Sequence, residues 1–256
     1  FGFGVPIEKH FSTVVEGYYK DVKVINMGVG GYGVDQQLLS LRSEGFRYGP
    51  DLVLAYVAHY GDHRHLHTQR FGKNKPRFVL ADGKLALTNS PVAKLSSQVK
   101  VSGNMHDWFV KNSRAYGILY HRFAGMISQN HQTPLSQKQQ DERDLKDEAF
   151  KKELHEVGQA IIYAMHEESL KHGAGFVLAT QIKELDQATR DKGVFSIDVA
   201  GAVANQKFAL PDDLAHINEA GNGALAWEIA SFLRKNQLLP SKHLHDQNVH
   251  GDSGNG

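Results

Sequence analysis

The chain contains no cysteine. That excludes a thiol nucleophile, disulfide staples and any zinc site built on thiolates, and it leaves the redox compartment undetermined. No apolar run is long enough to span a bilayer. Charge of one sign is also missing: 29 Lys and Arg stand against 28 Asp and Glu, a net charge of +1, so neither a nucleic-acid face nor a polybasic membrane patch is expected. No internal repeat is found. No initiator Met and no secretory pattern stand at Phe1, so the expectation is that an upstream segment has been processed, cut away or moved, and the compartment stays open.

What is present is a 256-residue chain, 41% hydrophobic, enough to bury the core of one large α/β domain. That domain is expected over 1–240, followed by a polar segment, 241–256. Phe11, Val14, Val15 and Tyr18 fall on one face of a helix over 10–19. Residues 22–27 read as a buried strand, followed by the loop Gly28-Val29-Gly30-Gly31-Tyr32-Gly33, a helix over 36–44 capped by Asp35, and an apolar strand over 52–58. Strand, loop, helix and strand in that order predict a parallel sheet. Residues 59–89 are mostly polar and read as irregular, with a short hairpin at Ala81-Asp82-Gly83-Lys84, and spaced aromatics over 104–129 suit a helix covering a sheet. A charged loop over 128–146 leads into a helix ending near Lys171, closed by Gly173-Ala174-Gly175. Strands over 176–180 and 194–199 follow. A last helix over 219–234 is predicted to bury Leu225, Ala226, Ile229 and Leu233.

Four stretches carry candidate chemistry. In Asp212-Asp213-Leu214-Ala215-His216, a carboxylate and an imidazole on one tight turn can hydrogen-bond, fixing the tautomer and leaving one ring nitrogen to take a proton from a nucleophile; the structural alternative is a helix cap beside a surface histidine. The glycine loop fits G-x-G-x-x-G, but Asp51 stands at the start of the next strand and not at its end, which disfavours a dinucleotide site. Such a loop also suits presentation of a backbone N–H to an oxyanion. The cluster His59, Asp62, His63, His65 and His67 is rich in metal-capable groups, with a polar loop of surface histidines as the simpler reading and no H-E-x-x-H beside it. Finally, Gly251-Asp252-Ser253-Gly254 is similar to the serine motif of chymotrypsin-like proteases, but too little chain follows it to complete their second barrel.

Together these pieces resemble the SGNH/GDSL hydrolase family over most of the chain. Phe1-Gly2-Phe3-Gly4-Val5 looks like the end of its first block, G-D-S-(two residues)-F-G-x-G-V, and residues 24–33 look like the second, with the functional glycine at Gly31. Pro50-Asp51-Leu52-Val53-Leu54 leads to the third block, and Asp213-Leu214-Ala215-His216-Ile217-Asn218 matches the fifth, D-x-x-H followed by x-N. The resemblance implies a three-layer α/β/α flavodoxin-like fold with a mainly parallel sheet, and a Ser-His-Asp acyl or acetyl esterase acting on a small-molecule or carbohydrate ester, with no metal and no cofactor. His59-Tyr60-Gly61-Asp62 stands where the family has G-x-N-D, with Gly61 at the asparagine's position, so the oxyanion hole is altered and His59 is the candidate to donate instead.

The G-D-S of the first block is missing ahead of Phe1, yet Gly251-Asp252-Ser253 lies at the other end of the chain. Read across the ends, the block is restored one residue longer than usual. A circular permutation is therefore expected, with Ser253 as nucleophile, His216 as base, Asp213 orienting it, and Gly31, Ser253 and His59 forming the oxyanion hole. The competing expectation is truncation, in which strand and serine lay upstream, the isolated chain is inactive and the sheet has a gap. Residues 243–250 are polar for a central strand, which weighs against permutation. A metal-dependent hydrolase and an inactive binding domain of the same fold are the functional rivals.

Overall fold

The computed structural model describes residues 2–58, 64–70, 73–93, 147–203, 205–211 and 213–239. In chain order the elements are α1 (Phe11–Gly17), α2 (Val34–Ser43), β1 (Leu52–Val57), β2 (Gln69–Arg70), β3 (Lys73–Asn74), β4 (Arg77–Ala81), β5 (Lys84–Thr88), α3 (Glu148–Lys171), β6 (Gly175–Thr180), α4 (Lys183–Asp191), β7 (Ser196–Asp198), α5 (Ala200–Val203), β8 (Ala209–Leu210), β9 (Asp213–Ile217) and α6 (Glu219–Lys235). The expected helix over 104–129, the loop over 128–146, His59, Asp62, His63 and the tail with Ser253 lie outside the described residues.

A parallel sheet runs in the order β1-β6-β7, with Leu52 opposite Gly175 and Leu178 opposite Ser196. Its middle strand is buried on both faces, as an unbroken apolar run requires. Side chains alternate along a strand. Phe176 and Leu178 therefore enter one cluster, with Leu38 of α2, Ile161 of α3 and Leu185 of α4. Val177 and Ala179 enter the other, with Val15 of α1, Ala202 of α5 and Leu225 of α6. The protein is thus mixed α/β, with helices packed on both faces of a parallel sheet.

The long helices follow their sequence signals. Asp147 caps α3 by accepting from the Ala149 N–H at 2.9 Å, and Gly173, with φ of +75°, turns the chain out of it. The four apolar residues expected to bury in α6 are all at most 4% exposed.

Three expectations are corrected. Residues 22–27 form no strand. A strand needs a ladder, and among the described residues none lies beside them or beside the outer edge of β1. Their polar groups turn to side chains instead: the Val24 N–H donates to Glu16 at 2.7 Å, while Val22 and Val24 still pack on the cluster below α1 and α6. Asp35 does not cap α2, because Gly33 holds that position and Asp35 lies inside the first turn. The stretch expected to be irregular carries a second antiparallel pair among the described residues, β2–β3, while the expected hairpin at 81–84 forms as β4–β5.

Glu16 also receives Lys23 at 2.7 Å, and this bond, followed by that from the Val24 N–H, holds its carboxyl below the usual range. A depressed carboxylate pKa stabilises the fold above the unfolded-state value, and that contribution is lost as pH falls through the folded-state value. Glu16→Gln is expected to lower stability by roughly 0.5 kcal/mol at neutral pH. The difference from wild type should vanish in acid, checked by denaturant melts across pH.

Candidate functional site

The fifth-block motif lies in an antiparallel hairpin that pairs Ala209 with Ile217 and Leu210 with Asp213. The two pairs are adjacent on β8 but four residues apart on β9, so the strand bulges between Asp213 and Ile217. Asn218 takes the capping role at the start of α6. Its Oδ1 accepts from the Gly221 N–H at 3.0 Å, and its Nδ2 donates to the carbonyls of Lys207 at 2.8 Å and Ala209 at 2.9 Å. Helix α6 therefore begins after His216, and the side chain of Asp213 lies outside the described residues.

Asn222, 2% exposed, fixes this hairpin to the start of the chain. Its Oδ1 accepts from the Phe11 N–H at 3.0 Å, and its Nδ2 donates to the carbonyls of Asn218 at 3.0 Å and Ile217 at 3.3 Å. At Gly221 a Cβ would come within 2.8 Å of the Phe208 carbonyl, so glycine is required for the hairpin to close on the helix. The amino-terminal segment then lies on the same hairpin. The Phe3 and His216 rings are 4.8 Å apart and tilted by 39°. Gly4, with φ of +75°, packs where a Cβ would meet Leu210 Cδ1 at 2.5 Å. His216 itself is exposed.

The glycine loop makes a turn in which the Tyr32 N–H donates to the Val29 carbonyl at 3.2 Å, with Gly31 at φ of +85°. That is a type II arrangement, for which glycine is favoured at the third position. The loop runs into the amino end of α2, where the helix carries partial positive charge. Tyr56, near the carboxyl end of β1, gathers these parts. Its carbonyl accepts from Gln37 of α2 at 3.4 Å, its hydroxyl accepts from Gln181 at 2.8 Å, and its ring lies 5.9 Å from Phe11. The glycine loop and the His216 hairpin accordingly sit at the same end of the sheet.

Of the histidine cluster, His65 is 4% exposed and its Nε2 donates to the Leu154 carbonyl at 3.0 Å, so that nitrogen is committed to α3. The His67 ring lies 6.4 Å from Phe150. Among the described residues no three metal-capable side chains gather. A serine–histidine bond does occur between Ser12 Oγ and His10 Nδ1 at 2.7 Å. Both are buried, His10 caps α1, and Asn26 donates to both at 3.3 Å, so the pair has a structural role in capping the helix.

Comparison with known protein families, characterised proteins and solved structures finds no match. Among the described residues no helix is long and apolar enough to cross a membrane. Sequence reasoning did not assign the anchoring roles of Asn218 and Asn222. The available signal was a pair of asparagines four apart at a helix start, where each has backbone groups to satisfy. Asn222→Ala removes three part-buried hydrogen bonds and is expected to cost about 2 kcal/mol, read from the midpoint of urea unfolding.

Proposed function

We propose that the protein is a serine-dependent ester hydrolase of the SGNH/GDSL kind, on a three-layer α/β/α frame. The observation that carries this reading is the contact of Phe3 with His216. In the first block the residues Phe-Gly-x-Gly follow the nucleophile closely, so their packing on the D-x-x-H histidine is the juxtaposition that a serine–histidine pair demands. The glycine loop at the same end of the sheet supplies candidate oxyanion donors.

In this mechanism the Ser253 hydroxyl attacks the ester carbonyl while His216 takes its proton. The N–H groups of Ser253 and Gly31, with His59 in place of the family's asparagine, hold the tetrahedral oxyanion. Collapse expels the alcohol, which His216 protonates, and water attacks the acyl-serine by the same route in reverse. Asp213 orients the imidazole and stabilises its charged form. Exposure of His216 suits small acyl groups, acetate among them, on a small-molecule or carbohydrate alcohol.

The test is hydrolysis of p-nitrophenyl acetate with and without chelator. Ser253→Ala and His216→Ala are each expected to lower kcat by on the order of a thousandfold or more. Asp213→Asn should cost less, since the carboxylate orients the ring and does not itself carry the proton. Chelator should have no effect on the rate. Activity abolished by chelator, or fully retained in Ser253→Ala, contradicts the proposal.

A further inference from the structure

Asp35 and Lys75 form an ion pair that is almost wholly withdrawn from water: the two side chains are 0% and 5% exposed. Asp35 stands in the first turn of α2, directly after the glycine loop. Its Oδ2 accepts from Lys75 Nζ, while Oδ1 is buried with no partner among the described residues. A Cβ on Gly33 would lie 2.7 Å from Asp35 Oδ1, 3.1 Å from Arg64 Cβ and 3.1 Å from the His65 nitrogen. The carboxylate and residues 64–65 thus press on the same glycine.

Lys75 is held from its own side. Its N–H donates to the Thr68 carbonyl at 2.8 Å, its carbonyl accepts from Asn89 at 2.6 Å, and its Nζ also reaches the Pro76 carbonyl at 3.2 Å. The hairpin that follows is fixed to the core by Phe78, 1% exposed, and by the Arg77–Glu153 ion pair with α3.

We propose that Asp35 and Lys75 are positioning residues, whose ion pair locks the excursion carrying residues 64–70 and 73–93 onto the glycine loop and so fixes the loop's backbone amides, that of Gly31 included. A buried ion pair is a weak source of net stability, because desolvation of both charges offsets their attraction, and well-packed apolar replacements are often as stable. What it adds is direction. Nζ must meet one carboxylate oxygen, whereas an apolar contact lets the excursion slide across the loop. The consequence for catalysis rests on the esterase reading; the clamp itself does not.

The discriminating variant is the apolar pair Asp35→Leu with Lys75→Met, because Lys75→Met alone strands a buried carboxylate and risks unfolding. Hydrogen exchange is measured on the full chain, together with thermal melting and p-nitrophenyl acetate kinetics. The expected result is a melting temperature close to wild type, unchanged protection in β6, and exchange at Gly30 to Gly33 faster by about tenfold or more, since a loosened loop opens locally. Unchanged protection at Gly30 to Gly33 in a folded double variant overturns the clamp. If the chain hydrolyses the ester, kcat should fall roughly tenfold or more with KM little changed, as misplacement of an oxyanion donor demands. Lost loop protection with kcat intact would uphold the clamp and count against the loop's oxyanion role instead.

Discussion

The structure depends on the burial of β6 from both sides. A six-residue strand with alternating side chains presents two apolar faces, and neither can be left to water. Phe176 and Leu178 require one layer of helices, Val177 and Ala179 another. A helix that leads into a parallel strand must run back along it, which brings the amino end of α2 to the carboxyl end of β1. The bond from Gln37 to the Tyr56 carbonyl records that arrangement.

The site is then assembled at that end by polar side chains that do little for the core. Asn222 ties the start of α1 to the start of α6, and Asn218 ties the β8–β9 hairpin to the same helix. These bonds satisfy backbone groups that a helix start leaves open. Their effect is to hold Phe3 against His216, two parts of the chain that sequence separates almost completely. On the other side of the sheet, the Asp35–Lys75 pair brings the β2–β5 excursion onto the glycine loop. Stability and placement are divided between different residues: the apolar clusters supply the first, and a few directional polar contacts supply the second.

The periodic parts were legible in the sequence. Leu225, Ala226, Ile229 and Leu233 recur at helical spacing and are buried as that spacing requires, and the expected parallel sheet is present, though it pairs β1 with β6 and not with residues 22–27. Misjudged elements were those decided by partners far away in sequence. Residues 22–27 have the composition of a strand, but strand formation needs a neighbouring edge that composition cannot report. The acidic pair and the histidine do not start the helix that follows them: Asn218 caps it, and the strand ahead of it bulges between Asp213 and Ile217. No local pattern marks Lys75 as the partner of Asp35. A buried ion pair between residues 40 positions apart is a product of topology. Of the candidate site, the glycine turn and the position of His216 are seen, while Ser253 and His59 lie outside the described residues.

The central claim is that a serine is activated by His216, and covalent capture tests it most directly. The protein is treated with a fluorophosphonate, digested, and the modified peptide identified by mass spectrometry. The account predicts a single adduct on Ser253 that is absent from His216→Ala. No adduct on the folded protein, or an adduct on another serine that persists in His216→Ala, would contradict it.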